Sequence, residues 1–251
     1  MKSALVTGVS KGIGREIAHM LSREGYNLYG AYKWSEGYRE EEELANALVS
    51  EIPTLKLLPF DLISKSNIEE LVKQLDGVSL DVIINNAAEM IPNTLESFDY
   101  DDFIRVINVN MVAPLLIVQG LMTNLNAGAS IVNISSTDAS YAGYDTFPYA
   151  ISKAGLNNIT KSLAAILAPK KVRVNAIAPG WVDTDMGESA GVNDLSHEQT
   201  PLGRNGRPQE IANVVKFLIN EDASYITGSI VTVDGGYSSV DYVIKKESER
   251  R

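Results

Sequence analysis

A tyrosine four residues before a lysine can move a proton: the phenol holds one at neutral pH, and an ammonium beside it stabilises the phenolate left behind. The chain carries this spacing three times, in YGAYK from Tyr29 to Lys33, in YAISK from Tyr149 to Lys153, and in YVIKK from Tyr242 to Lys246. On a helix the two side chains share one face with Cβ atoms ~5–6 Å apart, whereas on a strand they stand roughly 13 Å apart. Tyr29 and Lys33 fall in a β-rich run and Tyr242 and Lys246 in a charged tail, so Tyr149 and Lys153 are the pair that opens a strongly helical segment. At ~5 Å and an effective dielectric of ~20 the ammonium favours phenolate by about 3 kcal/mol, or about two pKa units. A tyrosine tuned in this way protonates a carbonyl oxygen as hydride arrives at carbon. A serine from the preceding run, SIVNISS, can hold that oxygen.

A hydride needs a donor, and LVTGVSKGIGRE has the chemistry to bind one. Gly8, Gly12 and Gly14 follow the first β-rich run and open a helix, so backbone without Cβ can approach a pyrophosphate while the helix terminus supplies free N–H groups. A Walker phosphate loop does not fit, because Ile13 stands where its second glycine belongs. In dinucleotide folds an acid about 20 residues further on accepts from the adenosine ribose, and a base there accommodates a 2′-phosphate. Here the second run ends AYKWS, with Tyr32 and Lys33 and no acid, and Lys11 sits inside the glycine turn. Two cations flanking one phosphate predict NADP(H) over NAD(H).

These residues need a scaffold, and the chain alternates short β-rich runs with helical ones from SALVTG to GSIVTVDGG. Runs apolar on both faces predict a parallel sheet covered on each side, a doubly wound (Rossmann) α/β fold in one catalytic domain over 1–240. The polar stretch 184–207 breaks the alternation and is expected to be a mobile flap over the ligand end of the sheet. The tail 241–251 is expected to fray. The EEEE run from Glu40 reads as the charged first turn of a helix. In FIRVINVNMVAPLLIV, Pro114 cannot donate to the carbonyl of Asn110, so that buried carbonyl needs a polar partner or a water, while Asn108 reads as structural.

Composition excludes several classes. The 251 residues carry a formal net charge of −10, which argues against nucleic acid and anionic membranes. No cysteine is present, so disulfides, thiolate catalysis and cysteine zinc sites are excluded. His19 and His197 show no metal-ligand spacing. VAPLLIV is shorter than a membrane span and MKSALVTGVS lacks a signal-peptide core, which gives a cytoplasmic expectation.

The motifs in order, TGVSKGIG, NNAA, ISS, YAISK and PGWVDT, resemble the short-chain dehydrogenase/reductase family over nearly the whole chain. The resemblance implies Tyr149 as acid/base, Lys153 lowering its pKa and holding the nicotinamide ribose, and Asn110 holding a water in a proton relay. The family's serine lies thirteen residues before the tyrosine, which selects Ser136 over Ser135. It also implies cofactor contacts from Gly8, Ser10, Lys11, Gly12, Ile13 and Gly14. Further contacts carry over to Tyr32, Lys33, Asp61, Leu62, Asn85, Asn86, Ala87 and Ile134, and to Pro179, Gly180, Val182 and Thr184, with Asn85 also stabilising the sheet. Ala88 departs from the family's usual glycine. The segment from PLGRNGRPQE to VDGG resembles 3-oxoacyl-[acyl-carrier-protein] reductases of fatty acid biosynthesis and implies ketone reduction. A carrier-bound ketone and a free ketone, sugar or secondary alcohol both stay open. TNLNAGAS lacks the cations expected of a docking patch for an acidic carrier, although Lys170, Lys171 and Arg173 offer part of one. A homotetramer or homodimer is implied, with the Asn110 and Tyr149 helices at an interface. A non-catalytic NADP-binding regulator is the remaining alternative, opposed by the intact Ser136, Tyr149 and Lys153.

Overall fold

Leu5 and Val6 are neighbours on one strand, point to opposite faces and are both buried, so their strand needs cover on each side. The computed structural model describes residues 2–34, 39–186 and 193–248. Seven parallel strands form one sheet in the order β3-β2-β1-β4-β5-β6-β7. They are β1 (Ser3–Thr7), β2 (Asn27–Tyr32), β3 (Leu55–Pro59), β4 (Leu80–Asn85), β5 (Leu125–Ile134), β6 (Arg173–Pro179) and β7 (Ile230–Val233). The chain winds outward from β1 to β3 and returns to β4 on the other side of β1. That reversal opens a crevice above the carboxyl ends of β1 and β4.

Period-two alternation sorts the core into two layers. Ala4, Val6, Val82 and Ile84 face α1 (Gly12–Arg23), α2 (Arg39–Glu51) and the helix Pro208–Ile219 through Ile17, Leu21, Leu48 and Val215. Leu5, Ile83 and Ile131 face α3 (Lys65–Gln74) and two later helices through Leu71, Ile117 and Leu163. A buried polar ladder crosses the sheet: Asn85 Nδ2 donates to Asn133 Oδ1 at 2.8 Å, and Asn133 Nδ2 donates to Thr160 Oγ1 at 2.8 Å.

The proline problem is solved by winding. The run splits into α4 (Tyr100–Ile107), a π segment (Asn108–Val112) and α5 (Ala113–Gly120), with Pro114 in the first turn of α5 where its missing N–H costs least. Joined, Tyr100–Gly120 is long and apolar enough to cross a bilayer, so apolar length extends beyond VAPLLIV. Its buried Ala113, Ile117 and Val118 are spent on the core beside α3 and α6 (Phe147–Leu167), and buried Asn110 bonds to the loop after β4.

Two expectations need revision. The tail does not fray at once: Tyr242–Ser248 is a helix, and Lys245 Nζ donates to the Glu198 carbonyl at 2.7 Å. Tyr242 and Lys246 therefore also lie on a helix, and helicity alone does not single out Tyr149 and Lys153. Of the stretch 184–207, residues 187–192 lie outside the described ones. α7 (Asn193–Gln199) follows them, and Gly206 bridges Val182 while its N–H donates to the Trp181 carbonyl at 2.9 Å. Pro208–Ile219 is α8 and Tyr242–Ser248 is α9.

Asn133→Leu strands the amide of Asn85 in the core and takes away the donor to Thr160 Oγ1, whose own O–H still donates to the Leu156 carbonyl. It should lower unfolding stability by roughly 2–3 kcal/mol in a denaturant titration. A loss below about 1 kcal/mol would show that the ladder contributes little.

Candidate active site

A cavity of about 740 Å³ occupies the crevice, walled by the turns that follow β1 to β6. At one end Ser10, Lys11, Gly12 and Ile13 present the start of α1. Lys11 caps that helix without a side-chain hydrogen bond, and no acid stands in its first turn, so its free N–H groups suit a phosphate. Gly8 takes φ +72°, and a Cβ on it would meet Asn86 Nδ2 at 2.9 Å. Asn86 lines the cavity and its amide also donates to the carbonyls of Thr7 and Gly8, each at 3.0 Å, which staples the glycine turn to NNAA.

Two residues expected to touch a cofactor lie behind the wall. A Cβ on Gly14 would stand 1.9 Å from the Gly8 carbonyl oxygen, so that glycine serves the packing of α1 on its own turn. Asn85 is buried in the ladder to Asn133, and its Oδ1 finds no partner among the described residues. Tyr32, Lys33, Asp61, Leu62, Ala87, Ile134, Pro179, Gly180, Val182 and Thr184 do line the cavity, as does Ala88 with its extra methyl.

The cations are already engaged. Lys33 Nζ sits 2.7 Å from Glu89 Oε1, and Lys11 Nζ sits 2.9 Å from Glu41 and 3.4 Å from Asp185. Glu41 also accepts from the Ser10 hydroxyl, so one member of the EEEE run reaches the cavity instead of serving solely as a solvated first turn. Arg105 joins Glu89 and lies 3.6 Å from Asp61. Burial works to raise the Glu89 carboxyl, but hydrogen bonds from Arg105 and Lys33 outweigh it and hold it below the usual carboxylate value.

The other end belongs to α6. Pro148 sits in its first turn, and the helical register sets Tyr149 and Lys153 on one face with Nζ 5.4 Å from the ring centroid. Lys153 is buried and donates to the Ile134 carbonyl at 2.8 Å, which ties α6 to the end of β5. Ser136 caps the short turn Thr137–Ser140, with Asp138 N–H donating to its Oγ at 3.1 Å, and its hydroxyl lies near enough to Tyr149 to favour the phenolate. Ser135 turns inward, 3.4 Å from the Lys153 carbonyl. Asn110 does not line the cavity. Its Nδ2 donates to the Glu89 carbonyl at 2.8 Å and to Ser152 Oγ at 3.0 Å, and Ser152 in turn donates to the Tyr149 carbonyl at 2.7 Å.

The charge on Lys153 does not dominate the tyrosine. Burial pushes the Tyr149 phenol well above its ordinary value and the Asp138 carboxylate adds to this, while the Ser136 hydrogen bond pulls the other way. Burial also brings Lys153 down to about 7, against the pull of Asp138. The expected lowering of the tyrosine is not seen, because dehydration and the Asp138 charge both disfavour the phenolate. Asp138 itself lines the cavity, raised by burial and lowered by Lys153.

Glu41, Glu89 and Asp138 were not singled out from sequence. The available signals were an acid directly after NNAA and another two residues after Ser136, both at strand carboxyl ends.

Residues 8–238 match the family model described as enoyl-(acyl carrier protein) reductase. A 3-oxoacyl-[acyl-carrier-protein] reductase, FabG, of Aquifex aeolicus is 38% identical over 244 residues, covering 94% of this chain and 96% of that protein. A blue fluorescent protein from a metagenomic library, solved with NADPH, superposes with TM-score 0.87 at 31% identity over 94% of this chain and 98% of its own. The angucycline C-6 ketoreductase LanV, solved with NADP, superposes with TM-score 0.83 at 30% identity over 95% and 96%.

Lys153 yields a pH test. Its folded value of about 7 lies below the ordinary 10.5, so between these limits the unfolded chain binds the extra proton and stability rises with pH. Wild type should therefore gain stability over Lys153→Met between about pH 7 and pH 9, read as the difference in unfolding midpoints. A difference that stays flat or falls would show that the lysine is charged when folded.

Proposed function

The chain belongs to the short-chain dehydrogenase/reductase family, an oxidoreductase by that membership, and on that footing we propose that it reduces a ketone to a secondary alcohol with NADPH. The observation that carries this reading is the placement of Ser136, Tyr149 and Lys153 together on one cavity wall, with the Lys153 ammonium nitrogen 5.4 Å from the tyrosine ring. The glycine turn and the uncapped start of α1 fit the dinucleotide pyrophosphate, and Lys11 and Lys33 fit its 2′-phosphate. When bound there, the cofactor supplies hydride.

The chain's own residues handle the oxygen and the proton. Ser136 holds the carbonyl oxygen by its hydroxyl, and Tyr149 donates its proton to that oxygen. A phenol held above its ordinary value keeps its proton at neutral pH but is a weaker acid, so its transfer depends on the carbonyl oxygen gaining alkoxide character as hydride arrives. Lys153, titrating near 7, is suited to return a proton to the spent phenolate, and Asn110 fixes the α6 segment that carries both. A 3-oxoacyl thioester on an acyl carrier is the substrate supported by the kinship to FabG. Asp138 favours a second reading, a free ketone bearing a hydroxyl or ammonium group, because no hydrogen bond or ion pair engages its carboxylate among the described residues.

NADPH oxidation should be followed with a carrier-bound 3-oxoacyl thioester, its small thioester analogue, apolar ketones, and ketones carrying an adjacent hydroxyl or ammonium. Tyr149→Phe should keep NADPH binding and lose at least about a hundred-fold in turnover on whichever substrate reacts. Undiminished turnover excludes it as the acid, and no turnover by wild type on any member opposes the reductase reading. A preference for polar ketones that vanishes in Asp138→Asn selects the second reading; indifference of the thioester to that change selects the first.

Exposed Leu115 on α5 and Ile151 and Ile166 on α6 are 38%, 48% and 63% accessible, and they support assembly of copies into a dimer or tetramer through these helices. Native mass measurement should return a multiple of 27.3 kDa; a single chain mass at working concentration would refute this.

A further inference from the structure

The loop after β4 turns a carboxylate into the cavity beside the end of β2. Glu89 accepts from Lys33 Nζ at 2.7 Å and from Arg105 Nη2 at 2.8 Å, with Arg105 Nε donating to its other oxygen. Its main chain is held separately: its N–H donates to Asn110 Oδ1 at 2.8 Å, and its carbonyl accepts from Asn110 Nδ2 at 2.8 Å. Glu89 is thus fixed from behind. Lys33 is the movable partner, with a flexible stem and a side chain 23% exposed against 15% for Glu89. It can leave without stranding a buried charge, because Arg105 stays on the carboxylate.

Resting on the reading of Lys33 as a ligand for the 2′-phosphate, we propose that Glu89 sets the preference between NADP(H) and NAD(H) by competing with that phosphate for Lys33. The phosphorylated dinucleotide must draw Lys33 away from a carboxylate held at hydrogen-bonding distance. The dinucleotide without the phosphate asks nothing of the pair. Glu89 therefore narrows a discrimination that Lys33 alone would make wide, and it does so through charge and not through the shape of the pocket.

Titration calorimetry of the full chain with NADP⁺ and with NAD⁺ reads this without turnover. Glu89→Gln should tighten NADP⁺ by roughly three- to ten-fold and move NAD⁺ by less than about two-fold. Glu89→Asp, which keeps the charge but withdraws it by one methylene, should move in the same direction by less, and serves if the glutamine variant does not fold. Equal shifts for both dinucleotides, or weaker NADP⁺ binding, overturn the proposal. Should Lys33→Ala still selectively weaken NADP⁺ in that case, the cofactor reading survives. NADP⁺ binding unchanged in Lys33→Ala would remove both.

Discussion

The bond from Lys153 Nζ to the Ile134 carbonyl is the contact on which the catalytic end depends. It joins the longest described helix to the last residue of β5, two elements that also meet through the Asn133–Thr160 hydrogen bond and apolar packing. Fixing one end of α6 at that point sets where Tyr149 stands one turn earlier, and Tyr149 in turn meets Ser136 just beyond the same strand end. The arrangement costs an amine its water, and the consequence is a lysine near neutrality and a phenol that keeps its proton. Ordinary dehydration, more than ion pairing, sets the proton chemistry of this pocket.

A second chain of contacts links the two ends of the cavity. Glu89, Asn110, Ser152 and the Tyr149 carbonyl form consecutive hydrogen bonds, so the loop bordering the adenosine end and the start of the catalytic helix are one connected polar structure. Asn110 has the position for this because the π segment keeps it buried between α4 and α5. Its side chain is thereby a brace as well as a candidate relay member.

Local patterns were legible in sequence and distant pairings were not. Alternating apolar residues in SALVT and DVIIN announce two-sided strands because each residue's environment follows from its neighbours. The glycine turn and the Tyr149–Lys153 spacing are likewise short-range. Lys33 with Glu89 spans 56 positions and Lys11 with Glu41 spans 30, and no periodicity reports such pairs, so both lysines read as open cations when each faces a carboxylate. Gly14 and Asn85 lie behind the cavity wall, Asn85 in the sheet-bracing place also expected of it. A glycine needed for a phosphate and a glycine needed for helix packing look the same in one sequence, and so do a sugar-binding amide and a sheet-bracing one. The tail helix escaped notice because its charged residues hide a short docked turn.

The π segment carries one further implication. Wider winding over Asn108–Val112 inserts an additional residue into an otherwise regular helix, and each residue of α winding is worth about 100° of rotation. The two halves are therefore rotated relative to one another by comparison with an uninterrupted helix. Arg105 on α4 is aimed at the acids of the cofactor crevice, while Ile117 on α5 is aimed into the core beside α3. One stretch of chain serves two differently oriented neighbours, and the irregularity is the swivel between them.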